Sequence, residues 1–296
     1  MLKLIKFVSV LLLLVSLSGC SRVQLAYNQL DWLIPYYING YVELTENQGY
    51  YLDEQVTDLL KWHCSEHLTS YAELLRDANR QFQSGSISAV QLEEHVAHFD
   101  IFWREIMQHS SPFLVQFFNT FSDDQVNALR ERFQVDNRDW YDAFKEKSAA
   151  EIQEENLDIM QNELERWFGD LNEAQLKMVQ KWSTRFTTLG YPGQSAREHW
   201  QQRLLQMLEL RQDLNRLNAS VNLLFVNPVK LRSQDYLKLM EDNTQFTIQL
   251  ISNLSTSLSD EQRQHLQEMI VTISGDFESL ACTPAKLAGT QGNMDQ

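Results

Sequence analysis

One five-residue pattern occurs five times along this chain of 296 residues, and it predicts how several of its helices begin. In each copy an apolar residue precedes Ser, Thr or Asn, and Gln follows three positions later. The Ser, Thr or Asn side chain can accept a hydrogen bond from the amide at the Gln position, while the Gln side chain reaches back to the amide of the cap residue. The copies are Leu44–Gln48, Ile87–Gln91, Phe121–Gln125, Leu171–Gln175 and Leu258–Gln262.

The apolar residues between these caps follow helical spacing, and the alternation typical of strands is almost absent. The chain also holds only 10 glycines and 5 prolines, which favours helix over sheet. We therefore predict an all-α fold, a multi-helix antiparallel bundle. Its helices are expected at about 29–40, 45–66, 70–84, 88–109, 112–120, 123–147, 149–168, 173–189, 196–226, 234–255 and 260–281.

Further local signals set the expected ends of these helices. Ser148 with Glu151 and Ser70 with Glu73 are predicted caps like those above. Gly85 is a predicted C-terminal glycine stop, and Ser111-Pro112 is a predicted helix start at a proline. Gly190–Gly193 is a predicted loop.

The N-terminus has the layout of a signal peptide. Lys3 and Lys6 precede an apolar run, Phe7–Leu17, that is short for a membrane span. The run ends in Leu17–Cys20, which resembles the lipobox of bacterial lipoproteins. The resemblance implies cleavage after residue 19, a diacylglycerol thioether on Cys20 and a further acyl chain, such as palmitate, on the new terminus. An ordinary secretory signal with a chance cysteine is the alternative.

The resemblance to lipoproteins also implies a location and a division of the chain. Ser21 follows the cysteine where Asp would favour the inner membrane, so the expected site is the outer membrane, facing the periplasm. We interpret 1–19 as the signal peptide, 20–28 as a lipidated tether, 29–282 as an all-helical domain and 283–296 as a flexible tail.

The formal net charge of −15 restricts the partners of this domain. An acidic surface repels phosphate backbones and anionic headgroups. Nucleic acid is therefore an unexpected partner, and attachment to the membrane must come from the lipid on Cys20 rather than from broad electrostatic adhesion.

Two of the repeated caps suggest an old duplication. The segment from Phe121 to Leu129 has the same pattern as that from Leu258 to Leu266, and each follows another cap of the same type. The halves would be 44–147 and 148–282. The alternative is that capping boxes are common and align with each other by themselves.

The segment just beyond the lipidated cysteine, 27–41, is rich in aromatic residues. Trp and Tyr favour the headgroup depth of a membrane, so the segment could be an interfacial anchor. The interpretation that we favour is a short helix packed on the core, with Trp32 and Tyr36 on one face.

Two cysteines remain after Cys20. Cys64 lies in a predicted helix and Cys282 directly follows another, far away in sequence, and an exported protein sits where disulfides persist. A bridge between them and a pair of buried free thiols both remain open.

Candidate catalytic chemistry is sparse. His63 and His67 are spaced i, i+4 and could bind zinc with a third ligand, but no glutamate is placed as in H-E-x-x-H. His95 and His98 lack the second Glu-x-x-His motif of a di-iron bundle. We therefore predict no catalytic residue, no metal and no cofactor.

Several segments resemble a family of Gram-negative lipoproteins known only as a domain of unknown function. The likeness implies fold and location but no activity. The family usually has Arg after the Trp-His pair, whereas this chain has Cys64, which makes a Cys64–Cys282 disulfide more interesting. The segments are Leu17–Cys20, Leu25–Trp32, Tyr41–Gln48, Trp62-His63, Gly169–Gln175, Trp182-Ser183 and Leu280–Cys282.

A second resemblance is local. Leu44–Gln48 is similar to the Leu-Thr-x-x-Gln signature of small helical periplasmic chaperones of the envelope-stress response. We expect a non-enzymatic, lipid-anchored structural or protein-interaction module with an unidentified protein partner. The alternatives are a holdase-like chaperone and a metal-dependent enzyme.

Overall fold

A computed structural model describes residues 22–282, and this part of the chain contains twelve α-helices and no strands. The predicted all-α, multi-helix fold is therefore confirmed. The signal peptide, Cys20 and the tail at 283–296 lie outside the described residues.

The helices follow one another with short connections, and a π-helical turn (Asn222–Val226) and a 3₁₀ turn (Pro228–Leu231) separate the last two from the rest. The twelve are α1 Arg22–Tyr27, α2 Leu30–Tyr41, α3 Glu46–Glu66, α4 Leu68–Gln83, α5 Ala89–Asn119, α6 Asp123–Lys145, α7 Ala149–Phe168, α8 Glu173–Ser183, α9 Gly190–Glu209, α10 Leu214–Val221, α11 Gln234–Ser255 and α12 Asp260–Leu280.

All five repeated caps form complete capping boxes, at the starts of α3, α5, α6, α8 and α12. The box of Ser148 with Glu151 is also present, at the start of α7. The cap predicted at Ser70 is wrong. Helix α4 begins earlier, at Leu68, because the chain turns directly from α3 around the buried His67.

The predicted helix start at Ser111-Pro112 is also wrong, because α5 continues through Pro112 without a break. A proline inside a helix removes one hydrogen bond and tends to kink it. Here packing holds the helix on both sides of the proline. His109 stacks on Trp62 with ring centroids 4.0 Å apart, and Phe117 is buried in the core.

The predicted loop Gly190–Gly193 is instead the first turn of α9. A proline in the first turn lacks an amide that would have no partner there anyway, so Pro192 does not disturb the helix. Gly190 serves packing: a Cβ at this position would lie 2.5 Å from Cζ of Phe144. The expected turn residue is therefore a site of close approach between α9 and α6.

Two hydrophobic cores hold the described residues together. Core 1 is built on α3, the end of α5, α6, α9 and α10, and core 2 on α4, α7, α8, α11 and α12. Core 1 contains Val42, Leu52, Val56, Phe117, Phe121, Val126, Leu129, Phe133, Leu204, Met207, Leu208, Leu217, Val221 and Leu224. Core 2 contains Phe82, Ile87, Leu164, Phe168, Leu171, Val179, Trp182, Leu250, Leu254, Leu258, Leu266 and Ile270.

The two cores do not coincide with the halves 44–147 and 148–282, since each core takes residues from both. Helix α4, from the first half, packs on α12, the last helix of the second. Helix α9, from the second half, packs on α6, the last helix of the first. Helix α5, which is 31 residues long, runs from core 2 to core 1. Among residues 22–282, no helix is both long and apolar enough to cross a membrane.

Candidate functional site

The histidine candidates of α3 lie in a cluster of tyrosines. The Tyr71 hydroxyl lies 3.0 Å from Nε2 of His63, and Nδ1 of His63 lies 3.0 Å from the Tyr27 hydroxyl. The Tyr27 hydroxyl donates to the Leu60 carbonyl at 3.4 Å. In either neutral tautomer of His63, one ring nitrogen donates to a tyrosine hydroxyl and the other accepts from one. A neutral imidazole thus has both nitrogens engaged.

Burial sets the protonation of this cluster, which we call the His63 cluster (Tyr27, His63 and Tyr71). Burial, and then the neighbouring His67, lower the pKa of His63 to about 4. Burial raises the pKa of Tyr27 and of Tyr71 to about 12. All three groups are therefore neutral near pH 7, and the hydrogen bonds described above persist without net charge.

His67 shares a helix face with His63, as the spacing predicts, and their rings stack with centroids 5.3 Å apart. It is 3% exposed, its Nε2 lies 3.8 Å from a carboxylate oxygen of Glu105, and its Nδ1 has no hydrogen-bond partner among the described residues. Burial lowers the pKa of His67, and Glu105 acts in the opposite direction. Within residues 22–282, no group of three or more His, Cys, Asp or Glu side chains is placed to hold a metal ion.

The second histidine pair is not brought together as a site. His95 Nε2 lies 3.0 Å from the Gln81 side-chain oxygen, on α4. His98 donates from Nδ1 to the Glu94 carbonyl, one turn earlier on α5, at 2.7 Å. Each histidine therefore supports its own helix or helix contact.

A disulfide joins Cys64, near the end of α3, to Cys282, just beyond α12, with Cα atoms 5.1 Å apart. The backbone amide of Cys282 also donates to the Cys64 carbonyl at 3.1 Å. Tyr71 stands beside this connection and contacts Phe277 of α12 edge to face. The His63 cluster and the disulfide thus form one structural end of the domain.

Helix α1 is docked at this same end. Gln24 donates to a carboxylate oxygen of Asp276 at 2.8 Å, and Tyr27 belongs to the His63 cluster. Within the segment 20–28, interpreted as a lipidated tether, residues 22–27 are therefore helical and held on the body. Only Ser21 stands between Cys20 and this docked helix.

The first of two glutamine pairs lies at an opening of the fold. Gln48 and Gln125, which belong to different capping boxes, donate to each other's side-chain oxygens at 3.1 and 2.7 Å. An open cavity of about 670 Å³ adjoins them and is also lined by Leu44, Thr45 and Tyr51. Two helix starts distant in sequence are thereby joined beside this open cavity.

The second glutamine pair has the same chemistry but is sealed. Gln175 and Gln262 donate to each other at 2.8 and 2.9 Å. Gln175 is fully buried and Gln262 is 7% exposed. Each of these four glutamines therefore has two roles, since it caps its own helix and joins that helix to another.

An apolar stripe on α5 lies between the two cores. Leu92 packs on core 2 and Phe117 lies in core 1, and the residues between them follow a spacing of four and three. Three of these, Val96, Phe99 and Trp103, are 41%, 59% and 57% exposed. We call these three residues the α5 stripe. Exposed neighbouring apolar side chains of this size are typical of an interaction surface.

A second exposed group lies on α2. Trp32, Tyr36 and Tyr37 are 53%, 68% and 63% exposed, whereas Ile34 and Ile38 pack against core 1. The short helix that we favoured is present and packs on the core, with Trp32 and Tyr36 on one face, but this face is exposed and does not contribute to the packing. The two rings contact each other, and the isoleucines on the opposite side bind the helix to the core.

A family model described as a family of unknown function (DUF6279) matches residues 40–237. The chain belongs to this family. No curated protein and no solved structure matches the chain. The DUF6279 match includes Gln48, Gln125 and Gln175 of the two glutamine pairs, together with Trp62-His63. The family segments thus contribute to helix junctions of this member and to the surroundings of its disulfide.

Sequence reasoning missed two features of this DUF6279 member. The pairing of Gln175 with Gln262 spans 87 positions, and the local pattern holds no signal for it. The α5 stripe does have a signal, because Leu92, Val96, Phe99 and Trp103 follow heptad spacing. That spacing does not reveal which of the four the rest of the fold covers.

Proposed function

We propose that this protein is a lipoprotein held by lipid on Cys20 at the periplasmic face of the outer membrane, where it acts as a non-enzymatic structural or protein-interaction module. One observation carries the proposal: a lipobox cysteine stands two residues before a helix that is docked on the body. Lipid on such a cysteine holds the whole domain at the membrane surface, because two residues span at most about 7 Å.

The anchor chemistry supports lasting attachment. A diacylglycerol group on Cys20 together with an amide-linked acyl chain such as palmitate provides several acyl chains, and each buried CH₂ contributes about 0.8 kcal/mol. The acidic surface adds no attraction to anionic headgroups. Ser21 favours the outer membrane by the sorting rule that the lipobox resemblance implies.

The hydrogen bonds of His63 and the exposure of the α5 stripe support an interaction role rather than a catalytic one. Both nitrogens of His63 are engaged by tyrosine hydroxyls, which leaves no lone pair on that ring for a metal or a substrate proton. The α5 stripe, in contrast, exposes apolar side chains without a covering element among the described residues. A partner protein that covers the stripe would bury this surface.

Photo-crosslinking in intact cells tests the proposal. A photoreactive amino acid is placed at Trp103 in the α5 stripe of the full chain. The matched control carries it at Val271, which is 58% exposed on α12 and lies outside the stripe. We expect one dominant protein adduct from position 103 and none from position 271. Equal adducts from both positions, or turnover of a substrate by the purified protein, would contradict the proposal.

A holdase-like chaperone is the second candidate, and the α5 stripe is the observation that favours it. Chaperones bind unfolded segments through exposed apolar surface, and the Leu-Thr-x-x-Gln resemblance at Leu44–Gln48 points the same way. A broad set of adducts from position 103, together with slower aggregation of several client proteins, would favour it. If Trp103→Ser leaves that protection unchanged, the stripe is not the client site.

A further inference from the structure

The exposed aromatic residues of α2 form a continuous surface. Trp32 contacts Tyr36 edge to face with centroids 6.0 Å apart, and Tyr36 contacts Tyr37 in the same way at 6.3 Å. Their exposed fractions of 53%, 68% and 63% are high for rings of this size. We call these three residues the α2 aromatic face.

The rest of the domain does not cover this face. Successive residues of an α-helix are rotated by about 100°, so Trp32 and Tyr36 lie on the side of α2 opposite to Ile34 and Ile38. The two isoleucines pack against core 1. Whatever buries the α2 aromatic face must therefore lie outside the described domain.

The face is close to the lipidated cysteine. Two steps of chain lead from Cys20 to Arg22, and α1 adds about 9 Å along its axis. Two residues, Asn28 and Gln29, connect α1 to α2. The start of α2 therefore lies within about 27 Å of the lipid attachment point even if every connection is fully extended.

The docking of α1 also restricts where the lipidated end can lie relative to the body. Helix α1 is held on the body by Gln24 and Tyr27, so the lipidated end cannot swing freely away from it. A docked lipid-proximal helix and an outward aromatic surface on the next helix occupy neighbouring positions. A membrane that holds the lipid is therefore within reach of that surface.

The chemistry of the face fits a headgroup region. Trp and Tyr combine an apolar ring with a polar tip and are enriched at membrane–water interfaces. The net charge of −15 opposes binding to anionic lipid. The surface that fits both observations is a zwitterionic one, contacted by rings rather than by charge.

We propose that the α2 aromatic face lies in the headgroup region of a zwitterionic bilayer and so sets the orientation of the domain on the membrane. The proposal rests on the lipid anchor at Cys20 that the proposed function assigns. In this orientation α2 lies against the bilayer, and the aromatic rings, together with the lipid, form a two-part attachment.

Fluorescence quenching of Trp32 tests the proposal without relying on lipidation in the cell. The chain from residue 20 to residue 296 is coupled through the Cys20 thiol to a maleimide phospholipid in phosphatidylcholine vesicles, with and without brominated phosphatidylcholine. Cys64 and Cys282 are joined to each other and do not compete for the maleimide. The contribution of Trp32 is the difference between the parent and Trp32→Phe.

Trp103 supplies the matched control, because it is 57% exposed but lies on α5. We expect brominated lipid to quench the emission that Trp32→Phe removes and to leave unquenched the emission that Trp103→Phe removes. Equal quenching of the two contributions would show unspecific adhesion and overturn the proposal. No quenching of Trp32 would also overturn it and would point to a protein as the occupant of the face.

A second pair of variants tests whether the tyrosines of the face contribute, so that the result does not depend on Trp32 alone. Tyr36→Ser with Tyr37→Ser should reduce the quenching of Trp32, whereas Tyr50→Ser, at a residue that is 66% exposed on α3, should leave it unchanged. Unchanged quenching in both variants would contradict a role of the tyrosines. Because the lipid is supplied chemically, these outcomes are independent of the lipidation of Cys20 in cells, which is measured separately.

Discussion

Two groups of aromatic residues lie near the end of α1, and they differ in the hydrogen bonds that their polar atoms make. In the His63 cluster, Tyr27 and Tyr71 bond both nitrogens of an imidazole that is neutral near pH 7. In the α2 aromatic face, Tyr36 and Tyr37 are mostly exposed, and their rings contact each other. Only a few residues of chain separate Tyr27 from Trp32.

The difference shows that residue type alone does not decide the role of an aromatic side chain. A buried tyrosine stabilises a fold when its hydroxyl finds a partner, because an unpaired buried polar atom is costly. A tyrosine on the side of a helix away from the core contributes little to the stability of the fold and remains free to contact a membrane or a partner protein. The first group therefore holds α1 on the body, and the second faces outward.

The largest expected effect concerns the disulfide beside the His63 cluster. Cys64→Ser with Cys282→Ser removes a bridge across 218 positions. Loss of the bridge restores chain entropy to the unfolded state, so the free energy of unfolding should fall by about 4 kcal/mol. Denaturant titration measures it, with Cys20→Ser as the control. An unchanged midpoint would contradict a structural role of this end.

The next effect compares one hydroxyl from each group. Tyr71→Phe leaves Nε2 of His63 without its hydrogen-bond partner in a half-buried site, so the free energy of unfolding should fall by about 1–3 kcal/mol. Tyr36→Phe removes a hydroxyl at a residue that is 68% exposed, and the change should stay within about 0.5 kcal/mol. Equal losses in the two variants would break the comparison.

A smaller effect follows from the titration of His63. Its folded pKa of about 4 lies below the unfolded value of 6.5, so the unfolded state takes up this proton first as the pH falls. The stability contributed by the neutral ring is complete above pH 6.5 and is lost between about pH 6.5 and pH 4. In His63→Gln this part of the pH profile should flatten, as urea titrations at several pH values would show. Parallel profiles over that range would contradict a half-buried neutral ring.

The smallest expected effect on stability is that of the α2 aromatic face. Trp32→Ser with Tyr36→Ser should leave the free energy of unfolding of the chain without lipid nearly unchanged, within about 0.5 kcal/mol. The reason is that Ile34 and Ile38, on the opposite side, supply the contact with core 1. Thermal unfolding measures this. A loss comparable to that of Tyr71→Phe would mean that the face belongs to the fold after all.

The parts of the fold that the sequence predicts are the local ones. A capping box needs only residues three positions apart, so Thr45 with Gln48 and Ser259 with Gln262 are visible in the sequence. The failures at Pro112 and Gly190 have the opposite cause. Stacking of Trp62 on His109 and the approach of Phe144 override the local preference of proline and glycine.

In the candidate site, too, the local features are predictable from the sequence and the long-range contacts are not. The spacing of His63 and His67 predicts their shared helix face, which the structure has. It does not predict Tyr27, which reaches His63 across 36 positions and, together with Tyr71, occupies the nitrogens that a metal would need. Long-range partners of this kind decide the chemistry of the site, and the pattern of a single helix does not contain them.

The most direct test of the central claim, attachment through lipid on Cys20, is the mass of the N-terminal peptide of the protein made in a Gram-negative host. We expect the mature chain to begin at Cys20 and to carry a diacylglycerol group and an amide-linked acyl chain, in the outer-membrane fraction. Cys20→Ala should retain the leader and carry no lipid. An unmodified Cys20 in the parent chain, or a terminus at another residue, would contradict the account.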